Sequence, residues 1–418
     1  MILSIRPDRK LIRAAGHSRR YVLVTFTAPA VPPKEGRTPI NISLVLDRSG
    51  SMGGQKIELV REAVRKALAM LRPEDRFSLV VYDDRIDVLV TSTPASAEAR
   101  RNAERMLAKI DARGSTDLGG GWLTGCEQVA AHLNAGALGR ALLLTDGLAN
   151  QGITDHDELV RHADELRSRQ ITTSTFGVGS DFDETLLQRM ATAGGGNSYF
   201  IERNVQILDY LTSELGEALE VVARDACVEV ILPAQVQAEP LHEFRHVRNG
   251  NTMRVHLGDI VSSQEISLVL RLDFPTGQAG DKLAVDFCLS DREHVLDAPP
   301  CTAAWEFADH QANDTQPRDV EVDRAVAQLY AARARDEALS LNRAGDFERA
   351  RAVLHRTVDK IREYAGENGA LLDLAQELLS EESRYASHMS AMELKARYYS
   401  SSNLRKNRDP EGKARRRT

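Results

Sequence analysis

The segment Asp47-Arg48-Ser49-Gly50-Ser51-Met52 directly follows the apolar run Ile42-Ser43-Leu44-Val45-Leu46. A short buried strand there delivers one carboxylate and two hydroxyls to its C-terminal end, where the chain must turn before a helix. In open α/β sheets, ligands bind outside the carboxyl ends of the strands. Asp-x-Ser-x-Ser offers only hard oxygen donors with a single negative charge, and Mg²⁺ prefers oxygen in near-octahedral geometry while keeping several waters. Two further segments extend the set. Gly114-Ser115-Thr116-Asp117 presents a hydroxyl ahead of a helix, and Leu142-Leu143-Leu144-Thr145-Asp146-Gly147 ends a second apolar strand in a carboxylate.

Taken in this order and context, Asp47-x-Ser49-x-Ser51, Thr116 and Asp146-Gly147 resemble the metal-ion-dependent adhesion site of von Willebrand factor type A (VWA) domains. The resemblance spans roughly residues 38–205 and takes in Phe176-Gly177-Val178-Gly179 and the turn Gly194-Gly195-Gly196. It implies Ser49, Ser51 and Thr116 as direct ligands of Mg²⁺ (with Mn²⁺ or Ca²⁺ as substitutes), and Asp47 and Asp146 as direct or water-bridged ligands. All the expected residue types are present. Two carboxylates roughly neutralise a divalent cation, leaving an open coordination position for an outside carboxylate. Such a charge-assisted contact in a partly dry cleft carries ~2–4 kcal/mol. The expected function is a non-enzymatic, metal-dependent adaptor that binds a partner protein's Asp or Glu. The layout is similar to bacterial intracellular VWA proteins, some of which accompany AAA+ ATPases or signalling enzymes. The alternative is therefore a subunit of an ATP-driven chelatase or remodelling machine whose motor is another protein, since this chain has no P-loop.

Composition narrows the class. At 418 residues the chain is long enough for two or three domains, and 42% hydrophobic residues suit a globular fold. A net charge of −7 with both signs plentiful argues against a nucleic-acid binder. Cys126, Cys227, Cys288 and Cys301 are scattered without a C-x-x-C pair, which argues against a zinc or dithiol site and against a disulfide framework. Charges and Pro7 interrupt the first residues, unlike a signal peptide, and no stretch approaches the ~18–20 apolar residues of a membrane span. The expected location is the cytoplasm.

These side chains need elements to position them. Residues 1–38 alternate like strands, best at Tyr21–Thr27, and end in the Pro-rich linker Ala30-Val31-Pro32-Pro33-Lys34. Helical spacing follows at Ile57, Val60, Val64, Ala67, Leu68 and Leu71, then a strand over 76–82, helices over 96–110 and 119–134, and a strand over 139–145. Thr154 is placed to cap a helix over 155–169, ahead of the strand Ile171–Val178, a helix over 182–193, the strand Ser198–Ile201 and a helix to about Val222. Strands alternating with helices imply parallel βαβ units. From Ala226 to Phe307 the period becomes two, as in an antiparallel sandwich. The fold class expected is α/β: a doubly wound, mostly parallel sheet (39–223) inserted in a β-sandwich (224–312), whose first strands come from residues 1–38. A helical region (313–400) follows, in which Ala338–Ala350 reads as the turn of a helical hairpin. Residues 403–418 carry seven Lys/Arg against two acids, so 401–418 read as a disordered basic tail.

Other residues compete for a function. His242-Glu243-Phe244-Arg245-His246 fits H-E-x-x-H, the zinc metalloprotease pattern that needs both histidines on one helix face. Pro240 and Gly250-Asn251 leave barely two turns for such a helix, and His256, the third candidate, sits in a strand pattern. A loop with two solvated histidines is the expectation. Asp83-Asp84 reads as a pair of solvated turn acids, Gly194–Gly196 as a flexible turn without the ending of a phosphate loop, and Trp122 and Trp305 as packing residues, Trp122 near enough to Thr116 to border the site.

Overall fold

The computed structural model describes residues 2–30, 38–133, 137–296 and 298–416, so Val31 to Lys34 of the Pro-rich linker lie outside the described residues. The chain divides into two compact units, one of residues 1–31 and 221–418 and one of residues 32–220.

Three N-terminal strands, β1 (Ser4–Pro7), β2 (Leu11–Arg13) and β3 (Ser18–Thr27), belong to the first unit. The second unit follows as β4 (Ile40–Asp47), α1 (Gln55–Met70), β5 (Arg76–Tyr82), β6 (Ile86–Pro94), α2 (Ala97–Leu107), α3 (Leu118–Ala130), β7 (Leu138–Thr145), α4 (His156–Ser168), β8 (Ile171–Val178), α5 (Glu184–Ala193), β9 (Gly195–Ile201) and α6 (Gln206–Leu219). The sheet runs β6-β5-β4-β7-β8-β9, parallel throughout except for β6. β4 and β7 are buried along their whole length, as expected for central strands covered by helices on both faces. The apolar stripe of α1 (Ile57, Val60, Val64, Ala67, Leu68) is buried. Glycines let α3 lie close to the sheet: a Cβ on Gly121 would come within 2.4 Å of Tyr82 Cγ, and one on Gly125 within 2.2 Å of Val45 Cγ2.

Three local expectations change. Residues 86–94 form β6, an antiparallel edge strand that a tight turn after β5 makes, with Asp83 N–H donating to the Arg85 carbonyl (3.0 Å). The cap of α4 is Asp155, whose carboxylate accepts from Glu158 N–H at 2.8 Å, one residue beyond Thr154. α6 ends at Leu219, because from Val221 the chain is taken into the next strand.

The first unit resumes with β10 (Val221–Ile231), β11 (Gln237–Pro240), β12 (Arg245–Asn249), β13 (Thr252–Val261), β14 (Glu265–Phe274), β15 (Lys282–Ser290) and β16 (Cys301–Ala308). β3 pairs with β14 antiparallel from Ser18↔Phe274 to Thr27↔Glu265, in the sheet β1-β3-β14-β11. β2 adds to the edge of the other sheet beside β16. Val22, Val24, Phe26, Val228, Val230, Leu268, Leu270, Phe287 and Trp305 share one core. Helices α7 (His310–Thr315), α8 (Val320–Arg343), α9 (Phe347–Ala365), α10 (Gly369–Glu381) and α11 (Ala391–Arg405) complete the unit. The α8–α9 turn uses Gly345 at φ 78°, and Asp346 caps α9 by accepting from Arg349 N–H. No helix among the described residues is long and apolar enough to cross a membrane.

The basic tail is a correction. α11 runs to Arg405, past the expected boundary at 400, and the chain then folds onto β14. Asn407 bridges Ser267 N–H (3.3 Å) and the Glu265 carbonyl (2.9 Å), and Glu265 N–H donates to the Arg415 carbonyl (2.9 Å). The reason is an unfilled strand edge: β11 pairs only with residues 270–273 of β14, so the backbone groups nearer Glu265 need other partners. Composition alone does not register that demand.

Phe26 is 4% exposed in the sandwich core. Phe26→Ala should lower the stability of this unit by about 3–5 kcal/mol. Urea unfolding checks it in a Trp122→Phe background, where Trp305 alone reports on the unit that contains it.

Candidate functional site

The parallel register of β4 and β7 sets Leu46 beside Leu144, so Asp47 and Asp146 emerge at adjacent strand ends. Both are buried, at 0% and 1% exposure. Asp47 Oδ1 accepts from Ser49 N–H at 2.7 Å and its Oδ2 accepts from Thr145 Oγ1 at 2.6 Å. After one turn of 3₁₀ helix (Gly50–Met52) the chain enters α1. Ser49 Oγ lies 3.1 Å from Ser51 Oγ, and Ser51 Oγ donates to Asp146 Oδ1 at 2.6 Å. Lys56 Nζ ion-pairs with Asp146 Oδ2.

Thr116 arrives from the loop ahead of α3. Its N–H donates to Asn150 Oδ1 (3.1 Å), and a Cβ on Gly147 would sit 3.2 Å from its Oγ1, so glycine there gives the hydroxyl room. Ser49, Ser51, Thr116 and Asp146 line one cleft of about 400 Å³, with Leu148, Asn150 and Asp181 around them. Asp47 lies beneath it, linked through Ser49. Four of the five residues singled out in the sequence thus share a cleft, and the fifth supports it. The lining offers hydroxyl, carboxylate and amide oxygens and contains no histidine or cysteine.

Several contributors were not legible in the sequence. Asp83, expected as a solvated turn acid, is fully buried. Its Oδ2 accepts from Arg48 Nε (2.9 Å) and Arg113 Nε (2.8 Å). Burial pushes this carboxyl up, but Arg113, the Arg85 N–H and Arg48 outweigh it and hold it below the usual range. The same residues clamp two loops together: Arg113 N–H donates to the Arg48 carbonyl (2.8 Å), Asp117 N–H to the Asp83 carbonyl (2.8 Å) and Gly50 N–H to the Gly114 carbonyl (3.3 Å). Gly114 adopts φ 70°, and a Cβ there would meet Asp84 Oδ1 at 2.2 Å. The alternating charges Asp83, Arg85 and Asp87 were the only hint. Asn150 and Lys56 gave none.

Trp122 does not border the cleft; it is buried and its Nε1 donates to Thr173 Oγ1 at 3.1 Å. The H-E-x-x-H segment forms no helix. His242, expected to be solvated, is buried, and its Nδ1 accepts from Val269 N–H at 3.2 Å. Burial pushes this imidazole down to about 3, with Arg415 and Arg333 adding to the effect. Glu243 pairs with Arg405 at 2.8 Å, and His246 is exposed on β12. Among the described residues no group of three or more His, Cys, Asp or Glu side chains could hold a metal. The carboxylates at the cleft are Asp146, the rim residue Asp181 and, beneath them, Asp47, and the other side-chain donors are hydroxyls and the Asn150 amide.

Two predictions follow from this geometry. Burial pushes the Asp47 carboxyl up to about 6 from its ordinary 3.8, against the bonds from Thr145 and Ser49, and the Asp146 charge adds to the rise. The folded state therefore holds this proton more tightly than the unfolded chain does. Its favourable contribution is full below about pH 4 and is lost as pH rises through about 6. In EDTA, urea unfolding of wild type and Asp47→Asn should diverge by on the order of 2–3 kcal/mol between pH 4 and 7. Asp83→Ala leaves two arginines without their shared partner and should lower stability by about 3 kcal/mol in the same assay.

A family model for the von Willebrand factor type A domain matches residues 41–214. The protein YfbK of Escherichia coli (strain K12) is 29% identical over 259 residues, 59% of this chain and 43% of its own length. The protein sll0103 of a Synechocystis species is 26% identical over 366 residues, covering 83% of this chain and 84% of that one. The matched stretch thus spans under half of YfbK. Among solved structures, a von Willebrand factor type A protein from Catenulispora acidiphila superposes with a TM-score of 0.71 at 18% identity, over 90% of this chain and 89% of that one. That likeness speaks to fold alone. Over residues 41–214 this chain carries a von Willebrand factor type A domain.

Proposed function

We propose that the domain is a metal-dependent protein-binding module, in which a partner's Asp or Glu completes the coordination of a Mg²⁺ held at the cleft. One observation carries this reading: Ser49, Ser51, Thr116 and Asp146 face a common cleft above the buried Asp47. The donor set fits the ion. Every donor is oxygen, the two carboxylates match a divalent charge, and the hydroxyls are weak enough ligands for waters or an incoming carboxylate to share the metal. Ser49, Ser51 and Thr116 would hold it directly, with Asp47 and Asp146 holding it directly or through water. Mn²⁺ suits the same donors, while Ca²⁺ prefers more ligands than this cleft supplies.

The chemistry supports binding rather than catalysis. Ser51 Oγ donates to a carboxylate that is itself paired with Lys56, and no histidine lines the cleft to act as its base. The partner is a protein presenting an acidic side chain. Leu148, 53% exposed on the rim, offers it an apolar contact beside the acid. The four cysteines stand as free thiols, which supports a reducing compartment such as the cytoplasm.

Mg²⁺ titrated into chelated protein should give saturable binding and raise the unfolding midpoint. Asp47→Ala and Thr116→Ala should each weaken that binding about tenfold or more, the range seen when metal-site partners are removed. Bound partner should be retained in Mg²⁺ and released by EDTA. A wild-type midpoint that is the same in EDTA and in excess Mg²⁺ overturns the reading.

A further inference from the structure

Lys56 stands where a lysine is electrostatically out of place. It is the second residue of α1, and the positive end of a helix dipole disfavours a cation in the first turn. No side chain caps this helix end, which begins after Gly54 at φ 73°. The ammonium is nonetheless drawn inward. It pairs with Asp146 Oδ2, the buried carboxylate of the cleft, and donates to the Ser51 carbonyl at 3.3 Å. The Lys56 side chain is 24% exposed and that of Asp146 is 0% exposed, so this pair is only partly screened by water. Gly179, just after β8, lies beside the ammonium, where a Cβ would make an ordinary contact with Nζ at 3.8 Å.

We infer that Lys56 is a built-in counter-charge that weakens the cleft's hold on a divalent cation and strengthens the loaded cleft's hold on a partner's carboxylate. This rests on the proposed function and deepens it. Asp47, Asp146 and Lys56 together leave one net negative charge. A divalent cation turns that into one net positive charge, which a single incoming carboxylate cancels. Without Lys56 the loaded cleft would be neutral overall, so an acid would be held by the metal's open position alone, without the added pull of a net positive charge. The nearby arginines do not substitute for it: Arg48 is taken up by Asp83 and Asp87, and Arg113 by Asp83. Asp181 on the rim is exposed, so water screens its charge.

The test uses the full chain with Lys56→Met, which keeps the length of the side chain and removes the charge, and Lys56→Arg, which keeps the charge. Mn²⁺ alone is titrated by calorimetry. Acetate is then titrated into Mn²⁺-loaded protein, read by water-proton relaxation as it displaces metal-bound water. Lys56→Met should bind Mn²⁺ roughly threefold or more tighter and acetate roughly threefold or more weaker, with Lys56→Arg near wild type in both. Opposite signs matter, because simple damage to the cleft would weaken both. Metal binding no tighter in Lys56→Met, or acetate binding no weaker, overturns the inference while leaving the metal site standing. Wild type that binds no Mn²⁺ overturns the reading of the site and this inference with it.

Discussion

Two carboxylates at the ends of adjacent parallel strands, both out of contact with water, are the constraint around which the second unit is arranged. β4 and β7 are the central strands, so whatever follows them is buried on the sides and open only at the top. A carboxylate there loses hydration and must be repaid by donors or by a cation. Asp47 is served by the Ser49 amide and the Thr145 hydroxyl, and Asp146 by the Ser51 hydroxyl and the Lys56 ammonium. These are also the groups through which the pair meets its cleft. Asp47, with no cation of its own, is the member whose carboxyl is pushed up to about 6. The local electrostatics are thus strained in the direction that a bound divalent cation relieves.

Placing Thr116 against that pair is a separate problem, because it comes from a loop with no strand to guide it. The solution is a buried ion pair and a few backbone bonds. Asp83, at the end of β5, holds Arg48 from the first loop and Arg113 from the second, and each loop also hydrogen-bonds the other through its backbone. A buried pair of this kind adds little to stability compared with apolar packing, but breaking it leaves uncompensated charge, so it acts as a positional lock. α3 then fixes the far side of Thr116, its Asp117 cap accepting from Gly120 N–H and its glycines resting on Tyr82 and Val45.

The first unit follows a plainer logic, in which unsatisfied strand edges recruit distant chain. β14 takes β3 along one edge, and along the other it takes β11 and then the segment after α11. His242 belongs to the same closure, its ring accepting the Val269 N–H where no strand reaches. That role accounts for a buried neutral imidazole inside a segment whose letters fit a metalloprotease.

How much of this is legible in the sequence depends on whether a residue's role is local. Apolar runs that end in Asp47 and Asp146, helical spacing after Ile57 and the change to period two after Ala226 all follow from short-range pattern. They therefore determine the α/β class, the central strands and the candidate oxygen donors. The family resemblance supplied the reading of Thr116 as their companion. What local pattern does not carry is partnership across the fold. The burial of Asp83 between two arginines, the pairing of Lys56 with Asp146, the removal of Trp122 to the interior beside Thr173 and the folding of residues 406–416 onto β14 are decided only when the sheets close. The physical reason is the same in each case. A charge, an indole N–H or a strand edge states a demand in sequence, but which distant group meets it depends on geometry that exists only after packing has excluded water.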